Sequence, residues 1–202
     1  MPASSLERAS LRGPAGAIET DISDPGDARR GIAVIAHPNP VQGGTKDNKV
    51  VTTLAKAFYH LGYVALRPNF RGVGASAGTH DHGVGETDDL LAVAHHAFER
   101  YGELPLLLAG FSFGAFVQTR VAKRLAPARM VLVGAAVNRF PAETVPDHTL
   151  VVHGEADDVV PLAAVLDWAR PQRLPIVVVP GGEHFFHGRL DILARIVTGC
   201  LG

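Results

Sequence analysis

The sequence predicts an α/β fold with a mostly parallel central sheet and helices on both faces. Three observations lead there. Continuous apolar runs such as "IAVIAH" (32–37) and "LPLLLAG" (104–110) read as strands covered on both sides. Segments with apolar residues at helical spacing separate these runs, so strands and helices alternate. Glycine- and proline-bearing turns punctuate them.

The elements follow in order. Residues 5–22 read as a β-hairpin, with "GPAG" as its turn, and "DPGDARRG" (24–31) is a loop. After the 32–37 strand, "DNKVVTTLAKAFYHLG" (47–62) carries Val50, Leu54, Ala57, Phe58 and Leu61 on one helical face, with Asp47 as its cap and Gly62 as its end. "YVALRP" (63–68) is a strand, and a glycine-rich loop runs from 69 to 85. A helix over 86–102 has acids in its first turn. The 104–110 strand leads into a helix over 113–126 with a Phe113–Val117–Val121–Leu125 stripe. Strands at 129–134, 148–154 and 175–181 and helices at 162–170 and 190–201 complete the chain. No repeat or linker divides it, so one domain over 1–202 is expected.

Composition narrows the function. Nineteen basic residues against 20 acidic ones give no general footprint for nucleic acid or an anionic membrane. One cysteine, Cys200, forbids an internal disulfide and fits a reducing cytoplasm; a bland packing role is expected for it. "MPASSLERAS" lacks the apolar core of a signal peptide. No apolar run reaches the roughly 18 residues of a membrane span.

In this architecture, function collects at the carboxyl ends of strands. After the 104–110 strand comes "GFSFG", a G-x-S-x-G turn that lifts the Ser112 hydroxyl at a helix N-terminus. A purely structural turn is the alternative. After the 148–153 strand, "HGEADDVVP" supplies two acids, Asp157 and Asp158; after the 175–179 strand, "GGEHFFHG" supplies His184 and His187. A serine hydroxyl needs a base, histidine commonly serves, and a carboxylate fixes its tautomer. The order serine, acid, histidine suits this fold.

These pieces, with "RGVGASAG" after the 63–68 strand, resemble the α/β-hydrolases, especially small lidless serine hydrolases of the dienelactone-hydrolase-like and esterase group whose first loop is similar to "AHPNPVQGGTKDNKVV". The resemblance implies a catalytic Ser112–His184–Asp157 triad. The family pattern H-G-x-x-D-x-x-V-P falls on Asp157 rather than Asp158, and G-x-x-H-F falls on His184 rather than His187. One oxyanion donor is then the N–H of Phe113, the residue after the nucleophile. The other falls on Asn39, because Pro38 and Pro40 have no N–H and the family uses this loop. Plain rigidity is the competing role for the Pro-Asn-Pro turn.

The implied reaction is hydrolysis of an acyl ester or thioester through an acyl-enzyme. Amide or peptide cleavage, or a non-catalytic binding module on the same fold, are the alternatives. Serine at 112 departs from the aspartate of haloalkane dehalogenases and from the usual cysteine of dienelactone hydrolases. The loop 135–147 is too short for a helical cap, so no cap domain is expected. His37, Phe111, Phe140 and Phe185 are candidate contacts for a small acyl substrate, with Phe113 and Phe186 as further candidate walls; a place in the core is the competing role for each phenylalanine and the commoner one for that residue. "GVGASA" (72–77) matches a weak dinucleotide fingerprint but precedes a loop, and "HDH" (80–82) reads as a solvated loop rather than a metal site. No cofactor or metal is expected, and a homodimer stays open.

Overall fold

A computed structural model describes residues 6–202. The expected start of the hairpin at Ser5, and the stretch 1–5 in the signal-peptide reading, lie outside the described residues. β1 (Leu6–Gly13) and β2 (Gly16–Ser23) form the hairpin, with Leu11 opposite Ile18. Leu11, Ile18 and Ile22 are buried, as alternation on one covered face requires. The remaining strands are β3 (Gly31–Ala36), β4 (Tyr63–Pro68), β5 (Leu106–Phe111), β6 (Arg129–Val133), β7 (Thr149–Gly154) and β8 (Ile176–Val179).

They build one eight-stranded sheet in the order β1-β2-β4-β3-β5-β6-β7-β8. β1 and β2 run antiparallel at one edge, and β3 to β8 are mutually parallel. The helices are α1 (Lys49–His60), α2 (Val84–Tyr101), α3 (Phe113–Val121), α4 (Leu162–Ala169) and α5 (Leu190–Leu201). β3 shows why its sequence reads as unbroken apolar. Ile32, Val34 and Ala36 enter the core beneath α2 and α3, whereas Ala33 and Ile35 enter the core beneath α1 and α5. Strand order reverses at β3, because its crossover through α1 leads to β4 on one side and the next leads to β5 on the other. A crevice opens at such a reversal, above the carboxyl ends of β3 and β5.

Several boundaries differ from expectation. Asn48, not Asp47, caps α1, its Oδ1 accepting from the Val50 N–H at 2.9 Å. Asp47 instead accepts from Lys46 and Arg67, which also hold buried Asp21 of β2 at 3.0 and 3.1 Å. That charge cluster ties the hairpin to β4. α2 starts at Val84 because Glu86 accepts from the N–H groups of Asp81 and Gly83, and Asp81 from that of Gly85. α3 ends at Val121, where tighter turns and Pro127 stop the expected continuation to 126. Residues 72–77 open no helix. Cys200 is exposed rather than packed, because it sits on the outer side of α5. The 135–147 connection contains no helix or strand.

The turn from β5 into α3 is the tightest point of the fold. Ser112 adopts φ +55°, a region costly for a residue with a Cβ. A Cβ on Gly110 would lie 2.4 Å from the Gly114 carbonyl oxygen, and one on Gly114 would lie 2.4 Å from that of Ala36. Both obstacles are backbone, so they cannot step aside. Gly114→Ala is expected to lower stability by about 1–3 kcal/mol, as overpacking does, read as a lower denaturant midpoint. An unchanged midpoint would contradict this packing.

Candidate active site

Three strand ends bring Ser112, His184 and Asp157 together. Ser112 follows β5, Asp157 follows β7 and His184 follows β8. The Ser112 Oγ lies 3.0 Å from His184 Nε2, and His184 Nδ1 lies 2.7 Å from Asp157 Oδ2. Nδ1–H donates to the carboxylate, leaving Nε2 as the acceptor facing the serine. Asp157 Oδ1 accepts from the Val159 and Val160 N–H groups at 3.0 and 2.7 Å. Burial pushes the Asp157 pKa up, but the His184 and Val160 hydrogen bonds outweigh it and hold the acid below its ordinary value.

The acid and histidine loops are joined through their backbones. Glu155 N–H donates to Val179 O, and Ala156 N–H to Gly182 O. A Cβ on Gly154 would strike the Gly182 oxygen at 2.3 Å, so glycine permits that approach. The His184 ring packs on Phe111 and Phe185, with centroids 4.9 and 5.1 Å away. His153 is also buried against Asp157, its Nε2 donating to Val160 O at 2.8 Å. Burial pushes the His153 pKa down. Asp158 is exposed, and exposed His187 pairs with Glu183.

A cavity of about 300 Å³ opens over Ser112. Its lining includes Asn39, His184 and Phe185, all expected from the sequence. It also includes Gln42, Asn48 and Arg139, which sequence reasoning missed. The first two lie in the quoted first loop, beside Asn39; Arg139 lies in the 135–147 loop, where no residue pattern marked it. Asn39 N–H and Phe113 N–H donate no hydrogen bond among the described residues. Phe113 is the first residue of α3, so its N–H has no partner within the helix.

Three expected substrate contacts are corrected. His37 is fully buried and lines no part of the cavity. Its Nδ1–H donates to Pro38 O at 2.7 Å and its Nε2 accepts from Phe70 N–H at 2.9 Å. The Pro38 carbonyl and the Asn39 N–H belong to one planar trans peptide. Fixing the carbonyl therefore turns the N–H the opposite way. Phe111 is fully buried beneath His184. Phe140 packs on Phe113 and Phe116, with both centroids at 5.0 Å, and joins the core. Phe113 and Phe186 are fully buried as well. A phenylalanine near the site can face the cavity or the core, and residue type alone does not decide which. His80 is not freely solvated; it sits 2.8 Å from the buried Glu86 carboxylate and against Phe113.

A parallel sheet with this serine turn and a lidless crevice defines an α/β serine hydrolase. The family model described as serine aminopeptidase, S33, matches residues 29–142, and the chain belongs to that α/β-hydrolase family. The matched segment contains Asn39 and Ser112 and stops before Asp157 and His184. A lidless a/b serine hydrolase from Xanthomonas campestris is 36% identical over 100% of this chain and 95% of its own, with a TM-score of 0.91. An alpha-beta serine hydrolase homologue from Coxiella burnetii is 38% identical over 100% of both chains, with a TM-score of 0.90. An uncharacterized Rickettsia prowazekii protein is 27% identical over 95% of this chain and 87% of its own. No helix among the described residues is long and apolar enough to cross a membrane.

Burial pushes the His37 pKa down to about 4, from an ordinary value of 6.5. The unfolded chain therefore binds a proton that the folded chain refuses between those values. Stability from this group is full above pH 6.5 and falls as pH drops toward 4, by ~3 kcal/mol at most. Urea midpoints at pH 7.5 and 4.5 are expected to differ less in His37→Asn than in wild type. Equal differences would contradict the buried neutral imidazole.

Proposed function

We propose that this protein hydrolyses acyl esters or thioesters through an acyl-enzyme on Ser112. The observation that carries the reading is the unbroken relay from Ser112 Oγ through His184 to Asp157 Oδ2, at 3.0 and 2.7 Å. In the acylation step, Ser112 Oγ attacks the carbonyl carbon and His184 Nε2 accepts its proton. Asp157 holds the Nδ1–H and stabilises the imidazolium. The Phe113 and Asn39 N–H groups receive the developing oxyanion, and His184 then protonates the departing alcohol or thiol. Water repeats the sequence on the acyl-enzyme, with His184 as base, and releases the acid. A cavity of about 300 Å³ suits a small acyl group.

The family description raises peptide cleavage as a second reading. An aminopeptidase must hold the substrate's α-ammonium group, which calls for a carboxylate. Among the described residues the cavity lining contains Arg139 and no aspartate or glutamate. That lining favours an ester over an amino-terminal peptide. The binding-module reading leaves the Ser112–His184 contact and the two free N–H groups without a purpose.

Wild type is expected to cleave 4-nitrophenyl butyrate with an observable acyl-enzyme mass. Ser112→Ala and His184→Ala are expected to lower kcat on the order of 10⁴-fold. Full turnover by Ser112→Ala would sink the mechanism. Faster cleavage of aminoacyl 4-nitroanilides than of esters would replace the esterase reading with the peptidase one.

A further inference from the structure

We propose that the substrate is an anionic ester, one whose acyl or leaving group carries a carboxylate or phosphate, and that Arg139 is its principal specificity residue. The inference rests on the esterase reading of the Ser112 cavity and names the class of ester.

Arg139 is the one permanently charged side chain in the cavity lining among the described residues. It makes no ion pair or hydrogen bond through its side chain among the described residues, whereas seven of the fourteen other arginines are paired with acids there. Its position is fixed from both sides. Asn138 Nδ2 donates to Val159 O at 3.2 Å, and Val159 also lines the cavity. Phe140, on the other side, is stacked on Phe116 in the core. Arg139 is thus an exposed cationic residue on a pinned backbone, and it lines the cavity over Ser112.

The neighbouring amides reinforce this polarity. Asn39 Oδ1 accepts from the Val41 N–H at 3.0 Å, and Asn48 Oδ1 accepts from the Val50 N–H at 2.9 Å. Both oxygens are spent on local backbone. Each amide NH₂ is left without a partner among the described residues, and both asparagines line the cavity. The lining therefore offers a cation and the amide groups of Asn39, Asn48 and Gln42, and no carboxylate among the described residues. Such a surface binds acceptor-rich anionic groups and rejects ammonium groups.

The test compares kcat/KM for two esters with one leaving group, 4-nitrophenyl hemisuccinate and 4-nitrophenyl butyrate, each corrected for spontaneous hydrolysis. A second pair, 4-carboxyphenyl and phenyl butyrate, places the charge on the leaving group, and 4-phosphonooxyphenyl butyrate distinguishes phosphate from carboxylate. Wild type is expected to favour the anionic member of at least one pair. Arg139→Ala is expected to lower that anionic-to-neutral ratio about 10- to 100-fold, chiefly through KM. Arg139→Glu is expected to lower it further, and Arg139→Lys to restore part of it. A wild-type preference for the neutral member of both pairs, or a ratio that Arg139→Ala shifts less than threefold, overturns the proposal. Cleavage of neither ester by wild type would sink the esterase reading instead. Calorimetric titration with monomethyl glutarate and with phenyl phosphate then decides the anion site alone. Binding by wild type that Arg139→Ala loses supports it, and no binding by wild type overturns it.

Discussion

Ser112 faces His184 because glycines on both sides of it, Gly110 and Gly114, let the turn close tightly. Gly110 and Gly114 let the backbone of β5, the start of α3 and the end of β3 approach at distances that any side chain would block. The serine itself carries the remaining strain at φ +55°. Its N–H is held by Val133 O at 2.9 Å, so β6 supports the strained conformation. Sheet order, crevice and helix start all converge on this turn. Strain of this kind persists only where the surroundings over-determine it.

The opposite wall is braced from within. His37 bridges Pro38 O and Phe70 N–H, linking the loop after β3 to the segment after β4. Gly44 completes the clamp, since a Cβ there would lie within 2.1 Å of the same Pro38 oxygen. The Asn39 carbonyl accepts from Gln42 and Gly44. The loop after β3, which holds only a single 3-10 turn at Pro40–Gln42, thereby gains a fixed peptide plane beside Ser112. Preorganised donors of this sort cost no reorganisation when charge develops. The neutral His37 ring bears the cost, because it cannot take a proton in ordinary conditions.

Much of this was legible in the sequence, for local reasons. Parallel strands covered on both faces read as unbroken apolar runs, so β3, β5, β6 and β7 stand out. The Ser112, Asp157 and His184 positions follow their strands within a few residues, and the parallel topology then carries them to the carboxyl end of the sheet. What was not legible depends on side-chain direction or on long-range partners. His37, Phe111 and Phe140 adjoin strand ends or the candidate site but turn into the core or beneath the site. The start of α2 is set by Glu86 and Asp81 carboxylates reaching back to backbone N–H groups, which shifts it ahead of the apolar pattern. Arg139 lies in a loop without periodicity, so its place at the cavity emerges only when Phe140 is packed and Asn138 meets Val159.

In the proposed mechanism, His184 activates Ser112 as a nucleophile. Labelling with a fluorophosphonate probe, followed by peptide mass mapping, measures that activation directly in wild type and His184→Ala. Rapid, single-site labelling of Ser112 that slows sharply without His184 is expected. Labelling of another residue, or equal labelling rates in the two proteins when both are folded, would contradict it.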